Sequence, residues 1–199
     1  MKAARSTAAL SLLLLLTGCA AQDGARSPAS PSRSAAAPAG APASAPADPT
    51  DAAWAQLMTP MNEQAVALLT LAGQRSGDPR VRRWAAGLRA AQNAELTRLR
   101  PLLARMGLPD TNVHEGHDMP GMVTRRDLDR ARTVGGGAFD RLVTALIRDH
   151  LRQSAQVSHS ETEAGTRPDA KRIATALVTA RKAELAELDR LPVPPGDAG

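Results

Sequence analysis

Four long stretches of this chain carry apolar residues every three or four positions, and nowhere do apolar and polar residues alternate as in a half-buried strand. That periodicity restricts the fold to packed helices. Trp54, Leu57, Met58, Met61, Ala65, Leu68, Leu69 and Ala72 mark a first helix that stops near Ser76-Gly77. Asp78-Pro79 supplies an N-cap and a first-turn proline for a second helix. Its stripe is Val81, Trp84, Ala85, Leu88, Leu99, Leu102, Leu103 and Met106, closed by Gly107 and Pro109. Phe139, Leu142, Val143, Leu146, Ile147, His150 and Val157 line a third long helix. Ile173, Leu177, Leu188 and Leu191 line a fourth, which starts at Pro168. Between the second and third lies an irregular stretch, Asp110 to Val123. A short helix follows it, opened by a Thr124/Asp127 capping box and broken by Gly135-Gly136-Gly137.

The two halves repeat. Ala65, Pro79, Ala85, Gln92 and Glu95 correspond, at a nearly constant offset, to Gln153, Pro168, Ala174, Arg181 and Glu184. Each half is one long helix, a turn and a proline-started helix, and two such hairpins packed face to face bury both stripes. The expected fold is all-α: a four-helix bundle of two pseudo-symmetric hairpins, with an irregular central crossover and a short extra helix. Trp54, Trp84 and Phe139 are the whole aromatic complement, so the core must be built from Leu, Val, Ala and Met.

The amino-terminal end gives the address. Lys2 and Arg5 precede an apolar run, Ala8 to Leu16, that ends in five leucines. Spanning a bilayer takes about 20 apolar residues, so the run suits a signal-peptide core instead. It leads into Leu16-Thr17-Gly18-Cys19, which resembles a bacterial lipobox. The resemblance implies cleavage before Cys19 and lipid attachment to its thiol. Cys19 is the only cysteine, which excludes an intramolecular disulfide.

From Ser27 to Ala47 the chain holds only Ala, Pro, Ser and Gly apart from Arg33, too little apolar surface to offset its ordering entropy. The expected organisation is a lipoprotein signal peptide at 1–18, a disordered tether at 19–50, the helical domain at 51–191 and a disordered tail at 192–199. The tether would reach on the order of 30 Å as a random coil. The address is the cell envelope, lipid-anchored outside the cytoplasm. In a Gram-positive cell that is the outer face of the plasma membrane, whereas Ala20 would favour outer-membrane sorting in a Gram-negative one.

The formal charge is +5, and removal of Lys2 and Arg5 with the leader leaves +3. With no Lys/Arg block and almost no aromatics to stack bases, nucleic acid is not an expected partner. The membrane, through the lipid, and an envelope protein are.

Two constellations carry chemistry. The first is the loop His114-Glu115-Gly116-His117-Asp118-Met119-Pro120-Gly121-Met122. Imidazole suits copper, zinc and nickel, whereas thioether sulfur favours Cu(I). Zinc is disfavoured, because no cysteine or tightly spaced carboxylate completes a tetrahedral site. His114 and His117 are three residues apart, as are Met119 and Met122, so one turn can close each pair. The alternative is a polar crossover in which Met119 and Met122 plug the bundle end. The second constellation is Glu95, Glu184 and His150 on inner stripes, with Asp149 beside His150 and Met61-Asn62 on the equivalent turn of the first helix. Facing Glu and His inside a bundle can build a metal site. The alternative is a structural network in which Glu95 and Glu184 pair with Arg98, Arg181 or His150.

His117-x-Met119-Pro120-Gly121-Met122, Phe139-Asp140 at the start of the third helix, and Gln92-x-x-Glu95 together resemble the bacterial family of unknown function numbered 305. The likeness runs from Trp54 to Leu188. It implies a ferritin-like helical bundle, frequent export and, for some members, copper binding or tolerance. The family pattern Met-x-x-His-His-x-x-Ala is broken in both halves. The first half reads Met58-Thr59-Pro60-Met61-Asn62-Glu63-Gln64-Ala65, without histidine. The second reads Ile147-Arg148-Asp149-His150 and then Gln153, with one histidine. An interior metal site would therefore rest on Met61, Glu95, Asp149, His150 and Glu184, with Arg181 opposing a cation.

The expected function is an envelope lipoprotein that captures or buffers copper through His114, His117, Met119 and Met122. The rival is a structural or protein-interaction lipoprotein that has lost metal binding. No catalytic residues and no organic cofactor are expected. The sequence has no nucleophile–base spacing, no phosphate-cradling glycine loop and no full di-iron ligand set.

Overall fold

The computed structural model describes residues 48–191, all helices and connections, with no strand among them. The leader, Cys19, the chain up to residue 47 and the segment 192–199 lie outside the described residues. Five helices follow in order: α1 (Pro49–Arg75), α2 (Pro79–Arg105), α3 (Arg125–Thr133), α4 (Gly136–Ala164) and α5 (Pro168–Leu188). The expectation of an all-α bundle holds.

Helix ends follow from side-chain chemistry. Asp48 caps α1 by accepting from the Thr50 N–H at 2.9 Å, with Pro49 in the first turn. The helix thus starts inside the last residues assigned to the tether, because cap and proline, rather than the apolar stripe, set its first turn. Asp78 and Pro79 open α2 in the same way. At α3 the capping box is complete, Thr124 and Asp127 each satisfying the other's backbone N–H (2.9 and 3.2 Å). The three glycines are less of a break than expected. Gly135 caps α4, and Gly136 and Gly137 already belong to its first turn.

α1 packs chiefly on α2 and α4 on α5, and the hairpins meet through α1 against α4 and α2 against α5. The core between them is divided. One apolar cluster joins Ala65, Leu68, Leu69 and Ala72 of α1, Val81 to Leu88 of α2, Leu128 and Ala131 of α3, Phe139 to Leu151 of α4, and Leu188. The other joins Trp54 to Met61, Leu99 to Leu103, Met122, Ala170, Ala174 and Leu177. Side chains such as Leu99, Leu102 and Leu151 are fully buried, worth about 1.5–3 kcal/mol each. Between the clusters, on every long helix, lies a polar layer.

Candidate functional site

Positions 62, 92, 95, 150, 154, 181 and 184 fall where each long helix passes from one apolar cluster to the other, and all seven carry polar residues. Arg181 is at their centre and fully buried. Its guanidinium donates to Glu95 twice (2.9 and 2.6 Å), to Glu184 (2.7 Å), to Ser154 Oγ (2.7 Å) and to Asn62 Oδ1 (3.4 Å). Asn62 Nδ2 donates in turn to Glu95 at 2.7 Å. Gln92 completes the ring with its amide oxygen turned toward the guanidinium. It accepts from both terminal nitrogens of Arg181 (3.1 and 3.2 Å) and donates to Asn62 Oδ1 (2.8 Å) and His150 Nε2 (3.3 Å). The opposite amide orientation would set donor against donor.

Burial alone would lower the Arg181 pKa, but Glu95 and Glu184 outweigh it and hold the group above its ordinary range. Burial raises Glu184, only partly offset by Arg181. His150 is pushed down to about 3 by burial and then by the Arg181 charge, so the ring is neutral at physiological pH. Its Nδ1 has no hydrogen-bond partner of ordinary geometry, although the Gly121 backbone is close enough to favour the protonated ring slightly.

A metal ion does not fit this layer. Both carboxylates are engaged by a permanent cation, and His150 Nε2 is taken by an amide. Met61 is buried in an apolar cluster and Asp149 is exposed on the outer side of α4. The five interior candidates are therefore not assembled around a common vacancy. The sequence reading anticipated the opposition from Arg181, but not that one guanidinium would bridge both glutamates. It also missed Ser154. The signal was present, since His150, Ser154, Ser158 and Glu161 repeat at helical spacing on the inner face of α4.

The crossover loop is built differently. The His117 N–H donates to the His114 carbonyl (3.0 Å) and the Met122 N–H to the Met119 carbonyl (3.1 Å), so each pair is closed by one turn. Gly121 has φ +71° and lies directly on α4, where a Cβ would come within 2.4 Å of Gln153 Cβ and 2.8 Å of the Asp149 carbonyl oxygen. Only glycine fits there. Pinned at that point, the chain drives Met122 into the second apolar cluster, 8% exposed, with Met119 packed against the same cluster.

A cleft of about 730 Å³ opens between this loop and α3, lined by His114, His117 and Met122 with Leu128 on its apolar side. Met119 does not line it. His117 is exposed, whereas His114 is half-buried and its Nε2 is fully covered with no partner. Glu115 reaches across to Arg125 (2.6 Å) and ties the loop to α3. Among the described residues no three His, Cys, Asp or Glu side chains are gathered as an ion site. A cation in this cleft would have to recruit the Met122 sulfur beside the two imidazoles.

A second buried polar pair sits where α1 begins. Asp51 and Glu161 are both inaccessible to solvent. Asp51 accepts from the Thr166 N–H (3.1 Å), the Thr166 hydroxyl (2.9 Å) and the Arg167 N–H (3.1 Å), which clamps the α4–α5 turn to α1. Burial, followed by the hydrogen bond and charge of Asp51, pushes Glu161 up to about 8. Burial would also raise Asp51, but the hydrogen bonds from Glu161, Arg167 and Thr166 hold it below its ordinary range. Glu161 is therefore largely neutral at neutral pH beside an ionised Asp51, although neither of its carboxyl oxygens has a hydrogen-bond partner of ordinary geometry.

Solved structures share this architecture. A DUF305 protein of Streptomyces coelicolor, described as secreted, superposes with a TM-score of 0.62 at 24% identity over 70% of this chain and 89% of its own. A DUF305 fragment from Deinococcus radiodurans superposes with a TM-score of 0.64 at 20% identity over 73% and 96%. At such identities the likeness concerns the fold alone. No curated protein matches the chain. Residues 51–191 match the family described as a domain of unknown function, DUF305, and the chain belongs to that family.

Proposed function

We propose that this protein is an envelope lipoprotein, anchored through Cys19, that captures a soft metal ion, copper(I), at the cleft beside its crossover loop. The observation that carries the reading is His114 Nε2, covered, without a partner, in a cleft that also holds His117 and Met122. A buried imidazole nitrogen left unpaired is costly, and a metal ion would satisfy it. Two imidazoles with one thioether form a donor set that prefers Cu(I) to Zn(II). Copper here is cargo, held and handed on with no bond made or broken in a substrate. The rival reading, an interaction lipoprotein without metal, draws support from Arg181 in the interior and from the depth of Met122.

A chain that starts at Ala20, and so lacks the Cys19 thiol, separates the two in a competition titration with a Cu(I) chelator. The expected result is one equivalent bound, weakened at least tenfold by His114→Ala and by Met122→Leu. Zn(II) should bind more weakly than Cu(I). Equal Cu(I) affinity in wild type and both variants defeats the copper reading. The anchor has its own test: Cys19→Ala should abolish lipid labelling and shed the protein, and continued membrane retention counts against it.

A further inference from the structure

α2 differs from every other helix in its charge. Of its ionisable residues seven are arginines, and the only acid, Glu95, is buried against Arg181. The other helices mix both signs. Four of the seven are engaged locally: Arg80 with Asp78, Arg100 with Glu63 and Asp110, Arg105 with Asp169, and Arg82 with the Ser76 and Gly77 carbonyls. Arg83, Arg89 and Arg98 are exposed and make no ion pair or hydrogen bond among the described residues.

Their placement matters as much as their number. At 3.6 residues per turn, Ala86, Ala90, Ala94 and Thr97 occupy the middle of the outward arc, all exposed. Arg83 falls within that arc near the start of the helix, Arg98 on one margin of it and Arg89 on the other. The face is a strip about 40 Å long, low along its centre from Ala86 to Thr97, with Arg83 at its start and Arg89 and Arg98 at its sides. Arg83 also lines a recess of about 340 Å³ with Trp84 and Arg190, in which Glu187 is the one acid.

We propose that this face of α2 docks on an anionic phospholipid surface. Small side chains let the helix approach the headgroups closely, while the guanidinium of Arg83 points toward phosphates and those of Arg89 and Arg98 reach to them from the sides. The membrane is the occupant that the charge fits, because a basic strip without acids is attracted by the negative potential of an acidic leaflet. A nucleic acid would call for stacking aromatics, and this face has none. The end of α2 packs beside the start of α1, through Leu99, Leu102 and Leu103 in the cluster that also holds Trp54. The proposal does not depend on copper, and its readout is separate.

The chain from Ala20 onward is co-sedimented with phosphatidylcholine vesicles prepared with or without phosphatidylglycerol. Binding is expected only to the anionic vesicles and should fall as salt is raised. Arg83→Gln with Arg89→Gln and Arg98→Gln should weaken it on the order of 100-fold, at about 1 kcal/mol per basic side chain. The melting temperature should stay unchanged, since none of the three has a partner to lose. Equal or absent binding to both vesicle types, or a triple variant that binds as wild type, overturns the proposal. So does displacement from vesicles by soluble polyphosphate at equal phosphate concentration, which would make the face a polyanion site instead.

Discussion

Replacing Arg181 with methionine tests whether the polar layer is built around a resident cation. The substitution keeps an unbranched, space-filling side chain and deletes the guanidinium. Glu95 loses hydrogen bonds of 2.9 and 2.6 Å and keeps only the one from Asn62 Nδ2, Glu184 loses its 2.7 Å partner, and Ser154 loses its donor. Glu95 has a side-chain exposure of 6%, so water cannot replace what is removed. Breaking a buried pair from one side costs about 3–5 kcal/mol. For a domain of this size each kcal/mol moves Tm by roughly 2–4 °C, giving a fall on the order of 10 °C. Two controls identify the cause. Glu95→Gln added to Arg181→Met removes the stranded charge and should recover a large part of the loss. Acidification should narrow the gap between Arg181→Met and wild type, because the stranded carboxylates can then be protonated. Urea unfolding followed by circular dichroism at neutral and mildly acidic pH measures both. A single variant within about 1 kcal/mol of wild type, or a double variant no better than the single, would refute the reasoning.

Other perturbations reach other parts of the fold. Gly121→Ala should destabilise by about 2–4 kcal/mol, through a left-handed backbone and a Cβ driven into Gln153. Gly116→Ala, with φ +84° but open space around it, should cost only about 1–2 kcal/mol in the same thermal melts. Glu161 binds its proton more tightly folded than unfolded, its pKa rising from an ordinary 4.5 to about 8, so its contribution to stability is full at low pH and declines as pH rises through that window. Glu161→Gln keeps the size of the side chain, removes the titrating group and should flatten that decline in a pH series of unfolding curves. Asp51 has the opposite sign: its contribution is present above 3.8 and fades as pH falls through its lowered folded value. Met119→Leu with Met122→Leu should change stability by less than about 1.5 kcal/mol, because both side chains pack on the same apolar cluster and leucine has a similar volume.

The helices and their order were legible because apolar periodicity, proline at first turns and the Thr124/Asp127 box are local signals. Their physics is complete within a few residues. The interior was legible only as a set of polar positions on inward stripes. Which of Arg98, Arg181 and His150 would meet Glu95 depended on which helices face one another, and no local pattern carries that. Asp51 and Glu161 escaped notice for the same reason, since Asp51 meets its clamp partner Thr166, 115 residues away, and meets Glu161 only in the assembled bundle. In the loop, spacing gave the two turns correctly, but not their direction. Gly121 against α4 turns both methionines toward the apolar cluster and leaves His117 outside, so the four side chains that looked equivalent in sequence occupy three different environments.

The repeat explains why a single arginine can organise the centre. Asn62 and His150, Gln92 and Arg181, and Glu95 and Glu184 are equivalent positions in the two halves, so each pair faces the middle from opposite sides. Two carboxylates facing each other in a dry layer repel unless something positive lies between them. A metal ion can do this, and so can a guanidinium, whose planar set of donors reaches several acceptors at once. Only one half needs to supply it, and the equivalent position in the other half must then be a neutral acceptor. Gln92 meets that requirement, with its oxygen on the two terminal nitrogens of Arg181. His150 is kept neutral by burial and then by the same charge, and its Nε2 is occupied by the Gln92 amide. The one residue in the second half that most departs from its counterpart in the first therefore fills the interior with its own cation.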